Sequence, residues 1–166
     1  MDFIVTSPSM LTFNEKPYRC AVGKSGIGEK QQEGDNITPV GTFPIRFGFY
    51  RSDRISQVEF HIPFLPISKD LGWCDAPNDP LYNRLIKVPY VASHEKLWRS
   101  DPIYDLILVV GYNDNPVVNG KGSAIFIHLA QENYSPTAGC VALKKDDLLE
   151  IIPFVSHDSK LIVGKI

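Results

Sequence analysis

Proline and glycine punctuate this chain so densely that short extended segments joined by turns are the architecture it favours. Thirteen prolines and twelve glycines fall within 166 residues, and each type sets up turns for its own steric reason. Strands are expected at Asp2–Thr6, Met10–Phe13, Pro17–Val22 and Phe43–Tyr50, separated by Ser-Pro, Asn-Glu-Lys-Pro and glycine-rich turns. Residues 104–112, YDLILVVGY, form a β-branched apolar run and read as a buried central strand. Ala124–Leu129, Cys140–Leu143 and Lys160–Ile166 complete the set. One helix is expected over Lys145–Phe154, where Leu148, Leu149, Ile151 and Ile152 are apolar. Asp146 and Asp147 in its first turn complement the positive end of the helix dipole. A second, short helix is expected near Ser93–Trp98 with Ser93 as its N-cap. The remainder of residues 51–103, full of Pro, Asp, Asn and Trp, reads as irregular. The fold class is mainly β with one or two short helices, in a single domain over residues 1–166.

A formal net charge of −2 argues against nucleic-acid binding or a strongly basic membrane face. No stretch approaches 18 apolar residues, so no membrane span is expected. The N-terminus, MDFIVTSPSM, has an acid at position 2, no basic region and no sustained apolar run. It does not read as a signal peptide, so a cytoplasmic location is expected, with the periplasm as the alternative if a leader has been removed. Three cysteines, Cys20, Cys74 and Cys140, cannot pair off internally, and no CxxC occurs. His61, His94, His128 and His157 show neither HxxxH nor HExxH spacing. No metal or cofactor is expected. Gly23-Lys24-Ser25-Gly26 lacks the spacing of a phosphate-binding loop.

The candidate chemistry lies in residues 125–143, IFIHLAQENYSPTAGCVAL. His128 closes one apolar run, and twelve residues later Cys140 enters another. Two neighbouring strands would bring a thiol and an imidazole together as nucleophile and base. A free thiol has a pKa of about 8.5 and is mostly protonated at neutral pH, so a proton acceptor is needed. If Ile125 and Ile127 face the core, alternation places Ala124, Phe126 and His128 on the opposite face, as one wall of a cleft. Gly139 lets the backbone turn sharply before the cysteine. The amides of Gly139 and Cys140 are candidate oxyanion donors, since acyl transfer builds negative charge on a carbonyl oxygen. The competing reading is structural: free cysteine is among the most buried residue types, and Cys140 precedes Val-Ala-Leu.

The segment from His128 to Leu143 resembles the active-site motif of the YkuD-type L,D-transpeptidases. In that family a histidine precedes a Ser/Thr-His-Gly-Cys-Ile/Val-Arg-Met/Leu stretch. The corresponding residues here are His128 and Thr137-Ala138-Gly139-Cys140-Val141-Ala142-Leu143. Thr38-Pro39-Val40-Gly41-Thr42-Phe43 is similar to the family's Thr-Pro-x-Gly-x-Phe, and Asp146-Asp147-Leu148 to its following helix. Ala138 replaces the motif histidine and Ala142 the arginine, which marks a divergent member. The resemblance implies two packed mixed sheets and a cysteine that attacks a peptidoglycan stem tetrapeptide at the bond before the terminal D-alanine. It implies Cys140 as nucleophile, His128 as base and, in many relatives, a carbapenem adduct on the cysteine. With a cytoplasmic location, the expected outcome is hydrolysis by an L,D-carboxypeptidase of peptidoglycan recycling. Cross-linking by an L,D-transpeptidase and an inactive peptide-binding module are the alternatives.

A substrate with carboxylates calls for cleft cations. Arg84 and Arg99, in the irregular middle of the chain, are the candidates, whereas Arg46 and Arg51 read as solvated. Tyr134 and Thr137, in the loop that joins His128 to Cys140, are further substrate-binding candidates. Trp73 and Tyr112 could line the groove, but large aromatics are more often core residues. Residues 23–41 form a long loop of the kind that is often functional, in which Gly34-Asp35 reads as an Asx turn. Cys20 and Cys74 read as structural thiols.

Overall fold

A computed structural model describes residues 1–56 and 58–164. Along the chain these form β1 (Phe3–Ser7), β2 (Met10–Phe13), β3 (Lys16–Ala21), β4 (Ile27–Gly28), β5 (Thr38–Pro39) and β6 (Gly41–Tyr50). They continue through β7 (Phe64–Pro66), β8 (Leu71–Cys74), β9 (Leu85–Lys87), β10 (His94–Lys96) and β11 (Leu106–Val110). β12 (Phe126–Leu129), β13 (Val141–Leu143), helix α1 (Lys145–Ile151), a 3₁₀ turn (Ile152–Phe154) and β14 (Lys160–Val163) complete the order.

The longest strand, β6, joins two layers. Thr42, Phe43 and Pro44 pair with β14, whereas Ile45–Tyr50 pair antiparallel with β11. The nine-stranded sheet runs β11-β12-β13-β3-β2-β1-β14-β6-β7, and the extra β6–β11 pairing brings it back on itself. It is mixed: β1–β14, β12–β13 and β6–β7 are parallel, and the other ladders in it are antiparallel. The mainly β class and the packed mixed sheets expected from the sequence are what the chain adopts.

Alternation explains the core between the layers. Phe3 and Val5 of β1, Leu11 and Phe13 of β2, Tyr18 and Cys20 of β3, and Leu161 and Val163 of β14 point inward. They meet Leu106, Leu108 and Val110, Ile127 and Leu129, and Val141 and Leu143 from the facing layer. Leu148, Ile151 and Ile152 close one end of this core. Every residue of β11 is buried because its other face is covered too. There Ile107 and Val109 pack with Phe49, Trp73, Leu97, Tyr104, Phe126 and Cys140. Trp73 belongs to a three-stranded sheet ordered β10-β8-β9.

That small sheet is the main departure from the sequence reading. Residues 93–98 are not helical: His94, Glu95 and Lys96 pair antiparallel with Cys74, Trp73 and Gly72. Six residues offer too few hydrogen bonds to offset helix nucleation, and pairing in the sheet satisfies the backbone instead. The segment expected to be irregular thus holds four short strands, β7–β10. Arg51 is not solvated. Its side chain is buried, pairs with Asp53 at 2.7 Å, and lies 3.5 Å above the Trp98 ring. The expected helix over 145–154 tightens to a 3₁₀ turn at Ile152, next to Pro153, which has no N–H for the α-helical ladder. The expected last strand ends at Val163, and residues 165 and 166 lie outside the described residues.

Leu161 is fully buried between Phe3 of β1 and Phe43 of β6. Leu161→Ala is expected to cost about 2–5 kcal/mol. Urea unfolding should show a lower midpoint at unchanged slope.

Candidate active site

The parallel ladder between β12 and β13 sets the geometry. His128 pairs in register with Ala142, and Ile127 with Val141. By alternation, Phe126 and His128 share one face with Cys140 and Ala142, away from the inter-layer core. His128 and Cys140 both line a cavity of about 570 Å³, with Arg99, Tyr104, Thr137 and Ala138 also in its wall. Ile125 and Ile127 belong to the opposite core, as alternation requires.

Both groups are deeply buried and electrically neutral at rest. Cys140 Sγ accepts the Phe126 N–H at 3.3 Å, and its S–H donates to the Ala124 carbonyl at 3.1 Å. Burial pushes the thiol up to about 12, and the negative charge of Glu95 acts in the same direction. His128 Nδ1 lies 2.9 Å from the Leu129 carbonyl. A carbonyl only accepts, so Nδ1 carries the hydrogen and Nε2 is left as the acceptor. Burial pulls the imidazole down to about 4. The resting pair is therefore thiol and neutral imidazole, rather than the ion pair that a base beside a thiol would otherwise suggest.

The loop before the cysteine is fixed by two threonines. Thr137 Oγ1 donates to the Cys140 carbonyl at 2.6 Å and accepts the Gly139 N–H at 3.1 Å. Thr38 Oγ1, fully buried, donates to the Gly139 carbonyl at 2.8 Å and accepts the Gly23 N–H at 2.8 Å. Gly139 has φ +136°, and a Cβ there would stand 2.8 Å from the Ile37 carbonyl oxygen. Glycine is required at this position by both conformation and space. The bond to Thr137 also occupies the Gly139 amide, so of the two oxyanion candidates it is the less available.

Gly41 serves the same corner. Its φ is +148°, and the Phe43 ring lies where a side chain would stand, 2.6 Å from the Cβ position. The Thr-Pro-Val-Gly-Thr-Phe segment therefore places one residue on the cysteine loop, through Thr38, and uses Gly41 to let Phe43 into the core.

Sequence reasoning placed Ala124 on the cleft wall but missed Asn83 and the part played by the Ala124 backbone, which lies outside the strand it was assigned to. Ala124 has φ +53° and lies immediately beside the thiol through its carbonyl. Its N–H donates to Asn83 Oδ1 at 3.0 Å, which also accepts the Trp73 indole N–H at 3.0 Å. The Asn83 amide nitrogen donates to the carbonyls of Tyr112 and Asn113. A non-glycine residue held at positive φ beside a reactive group is stored backbone strain. The only hint in the sequence is an asparagine in a polar segment, which carries no pattern.

The other candidates separate. Arg99 lines the cavity, but its guanidinium is engaged by Asp101 at 2.6 Å and lies over the Tyr104 ring at 5.4 Å. Arg84 is exposed and lines a different cavity of about 350 Å³, together with Trp73 and Tyr112. Tyr134 also lies outside the Cys140 cavity; it packs beneath the Arg19 guanidinium at 4.3 Å. Alternation and loop position alone do not specify which side of a loop faces a cleft. Gly34 does line the cavity, and Asp35 makes the expected turn by accepting the amides of Gln31, Gln32 and Ile37. Asp35 also pairs with buried Lys30 at 2.6 Å. Cys20 and Cys74 are buried free thiols. Among the described residues no cluster of three His, Cys, Asp or Glu side chains could hold a metal ion. Among the described residues no helix is long and apolar enough to cross a membrane.

The YkuD family model, the L,D-transpeptidase catalytic domain, matches residues 8–163. No curated protein matches the chain.

A thiol held near 12 stays protonated below that value, so alkylation at Cys140 should accelerate about tenfold per pH unit from pH 7 to 10. Peptide mapping after timed iodoacetamide treatment separates it from Cys20 and Cys74, and a rate plateau below pH 9 would contradict the neutral pair. Thr38→Val strands the Gly139 carbonyl and the Gly23 amide, at a cost of about 1–3 kcal/mol for each. Thermal unfolding of the variant measures the loss.

Proposed function

The chain belongs to the YkuD family of L,D-transpeptidase catalytic domains, and from that premise we propose that it is an L,D-carboxypeptidase in which Cys140 is the nucleophile and His128 the base. The family supports a cysteine acyltransferase of the L,D-transpeptidase type acting on peptidoglycan. The observation that carries the residue assignment is the shared face of β12 and β13, which puts the thiol and the free Nε2 acceptor in the wall of one cavity.

In the proposed reaction a stem tetrapeptide enters the cavity with the carbonyl before its terminal D-alanine against Sγ. The thiol gives its proton to His128 Nε2 as sulfur bonds to the carbonyl carbon. The developing oxyanion is received by the Cys140 amide, since the Gly139 amide is engaged by Thr137. The C–N bond then breaks, and the imidazolium returns the proton to the departing amine of D-alanine. A thioester remains on Cys140. Water, deprotonated by the same imidazole, attacks the thioester, and the thiolate leaves as a thiol with the proton from His128. Neutral resting groups suit this sequence, because charge appears only when the substrate carbonyl can share it.

The choice of water over an amine as the acceptor rests on the substrate the enzyme is taken to meet. A cavity of about 570 Å³ is of the size that holds one small ligand (roughly 300–1,000 Å³). Ala138 and Ala142 line this cavity with small side chains. Hydrolysis is the reaction suited to free muropeptides met in the cytoplasm, the location this reading takes.

Incubation with a disaccharide tetrapeptide should release D-alanine and leave the tripeptide, followed by mass spectrometry. Cys140→Ala should abolish release, and His128→Ala should lower kcat/KM by about 10²–10⁴. Cross-linked dimers without tripeptide would instead establish transpeptidation. The absence of both products, together with no Cys140-dependent carbapenem adduct in intact mass, would leave a binding module.

A further inference from the structure

The resting hydrogen of the Cys140 thiol is aimed at a backbone carbonyl, and one distant side chain holds that carbonyl in place. The S–H donates to the Ala124 carbonyl at 3.1 Å, while Sγ takes the Phe126 N–H at 3.3 Å. A thiol has a single hydrogen. While Ala124 holds it, it is not shared with His128 Nε2, although both groups line one cavity. Ala124 turns its carbonyl to the sulfur at φ +53°, a conformation that costs an alanine energy. Two bonds pin this turn. After it, the Ile125 carbonyl accepts the Val110 N–H at 3.1 Å. Before it, the Ala124 N–H donates to Asn83 Oδ1 at 3.0 Å.

Asn83 is itself immobilised. It is buried, and all four hydrogen-bonding positions of its side-chain amide are filled. Oδ1 takes the Trp73 indole N–H at 3.0 Å as well as the Ala124 N–H. Nδ2 donates to the carbonyls of Tyr112 and Asn113 at 3.0 and 2.8 Å. Its backbone N–H donates to the Cys74 carbonyl at 2.9 Å, and the residue lies between β8 and β9 at φ +56°. The small sheet thus sets where the amide stands, and the amide sets where the Ala124 carbonyl points. Tyr82 supports the same segment, its hydroxyl accepting the Gly122 N–H at 2.9 Å.

We propose that Asn83 is a positioning residue that fixes, through Ala124, the resting direction of the Cys140 S–H, and so keeps the thiol hydrogen off His128 until substrate enters. The contacts run from Trp73 to Asn83 to Ala124 to Cys140, which ties the resting thiol to the seating of the small sheet. The later passage of the proton to His128 rests on the acyl-transfer reading; the fixed S–H does not.

Asn83→Gly tests this, since glycine accepts φ +56° and offers no side-chain acceptor. Asn83→Asp is the conservative partner: it tolerates the same backbone and keeps an oxygen for Ala124 and Trp73, losing only the amide donor. The readout is the Cys140 S–H stretch in the infrared, isolated by subtracting the spectrum of the matching Cys140→Ser protein. Asn83→Gly should displace this band. Iodoacetamide alkylation of Cys140 at pH 7 should quicken about tenfold, the equivalent of a one-unit fall in the thiol pKa. Asn83→Asp should leave both as they are in the unsubstituted protein. A further measurement needs no substitution: the Ala124 amide should exchange with deuterium as slowly as the amides of β11, and this decides the matter should Asn83→Gly lose its thermal transition. A band or a rate unchanged in folded Asn83→Gly, equal changes in both variants, or an Ala124 amide that exchanges like an open turn would each overturn the assignment. None of these readouts involves D-alanine release, so failure of that release would overturn the acyl-transfer reading alone.

Discussion

The hydroxyl of Thr38 is the contact on which the geometry around the cysteine depends. It spans 101 positions of sequence to hold the Gly139 carbonyl, while taking the Gly23 amide on its other side. Gly139 can turn at φ +136° only because nothing projects from it toward Ile37, the residue just before Thr38. Three segments of the chain are thereby closed on one another at a single buried oxygen. The parallel ladder of β12 and β13 then fixes which side chains emerge beside each other. Without the threonine, two buried backbone groups would lose their partner at once, and the loop carrying the thiol would keep only the backbone bridge of Thr137 to Val22 and Lys24 on that side.

Burial accounts for the electrical character of the site. Both sides of the β11–β12–β13 layer are covered, one by the inter-layer core and the other by the small β8–β9–β10 sheet and its aromatic residues. Cys140 and His128 sit on the second side and are nearly as buried as the core. Low polarity raises the thiol and lowers the imidazole, so neither carries charge until a substrate supplies the partner. The same desolvation makes Glu95 costly as a lone carboxylate. The shifts at these three groups thus share one cause, burial beneath the small sheet.

Much of the strand framework was legible in the chain. Met10–Phe13 appears with the limits its pattern gives, and the alternation in Ile125–His128 correctly separates core from cavity. The family is shown by the match over residues 8–163, and the two motifs that suggested it meet physically at Thr38 and Gly139. What escaped was decided by long-range pairing or loop direction. Residues 94–96 become a strand because β8 lies beside them, a fact no local propensity carries. Tyr134 flanks the cysteine loop in sequence yet stacks on Arg19, and Arg84 opens onto a separate hollow. Asn83 carries no motif at all; its importance comes from what the fold places opposite it.

With Cys140 as the proposed nucleophile, the left-handed turn at Ala124 bears on how long an acyl group would reside there. At rest the Ala124 carbonyl is satisfied by the sulfhydryl hydrogen, 3.1 Å away across the sulfur. A thioester sulfur has no hydrogen to offer. Once acylated, the site therefore contains an orphaned acceptor directly beside the bond that must be cleaved, on a backbone already held out of its relaxed conformation by Asn83. A water molecule is the smallest donor that can fill that gap, and in doing so it would occupy the neighbourhood from which deacylation proceeds. On the proposed hydrolytic route, the strained turn would draw in the second reactant only after the first has bound covalently.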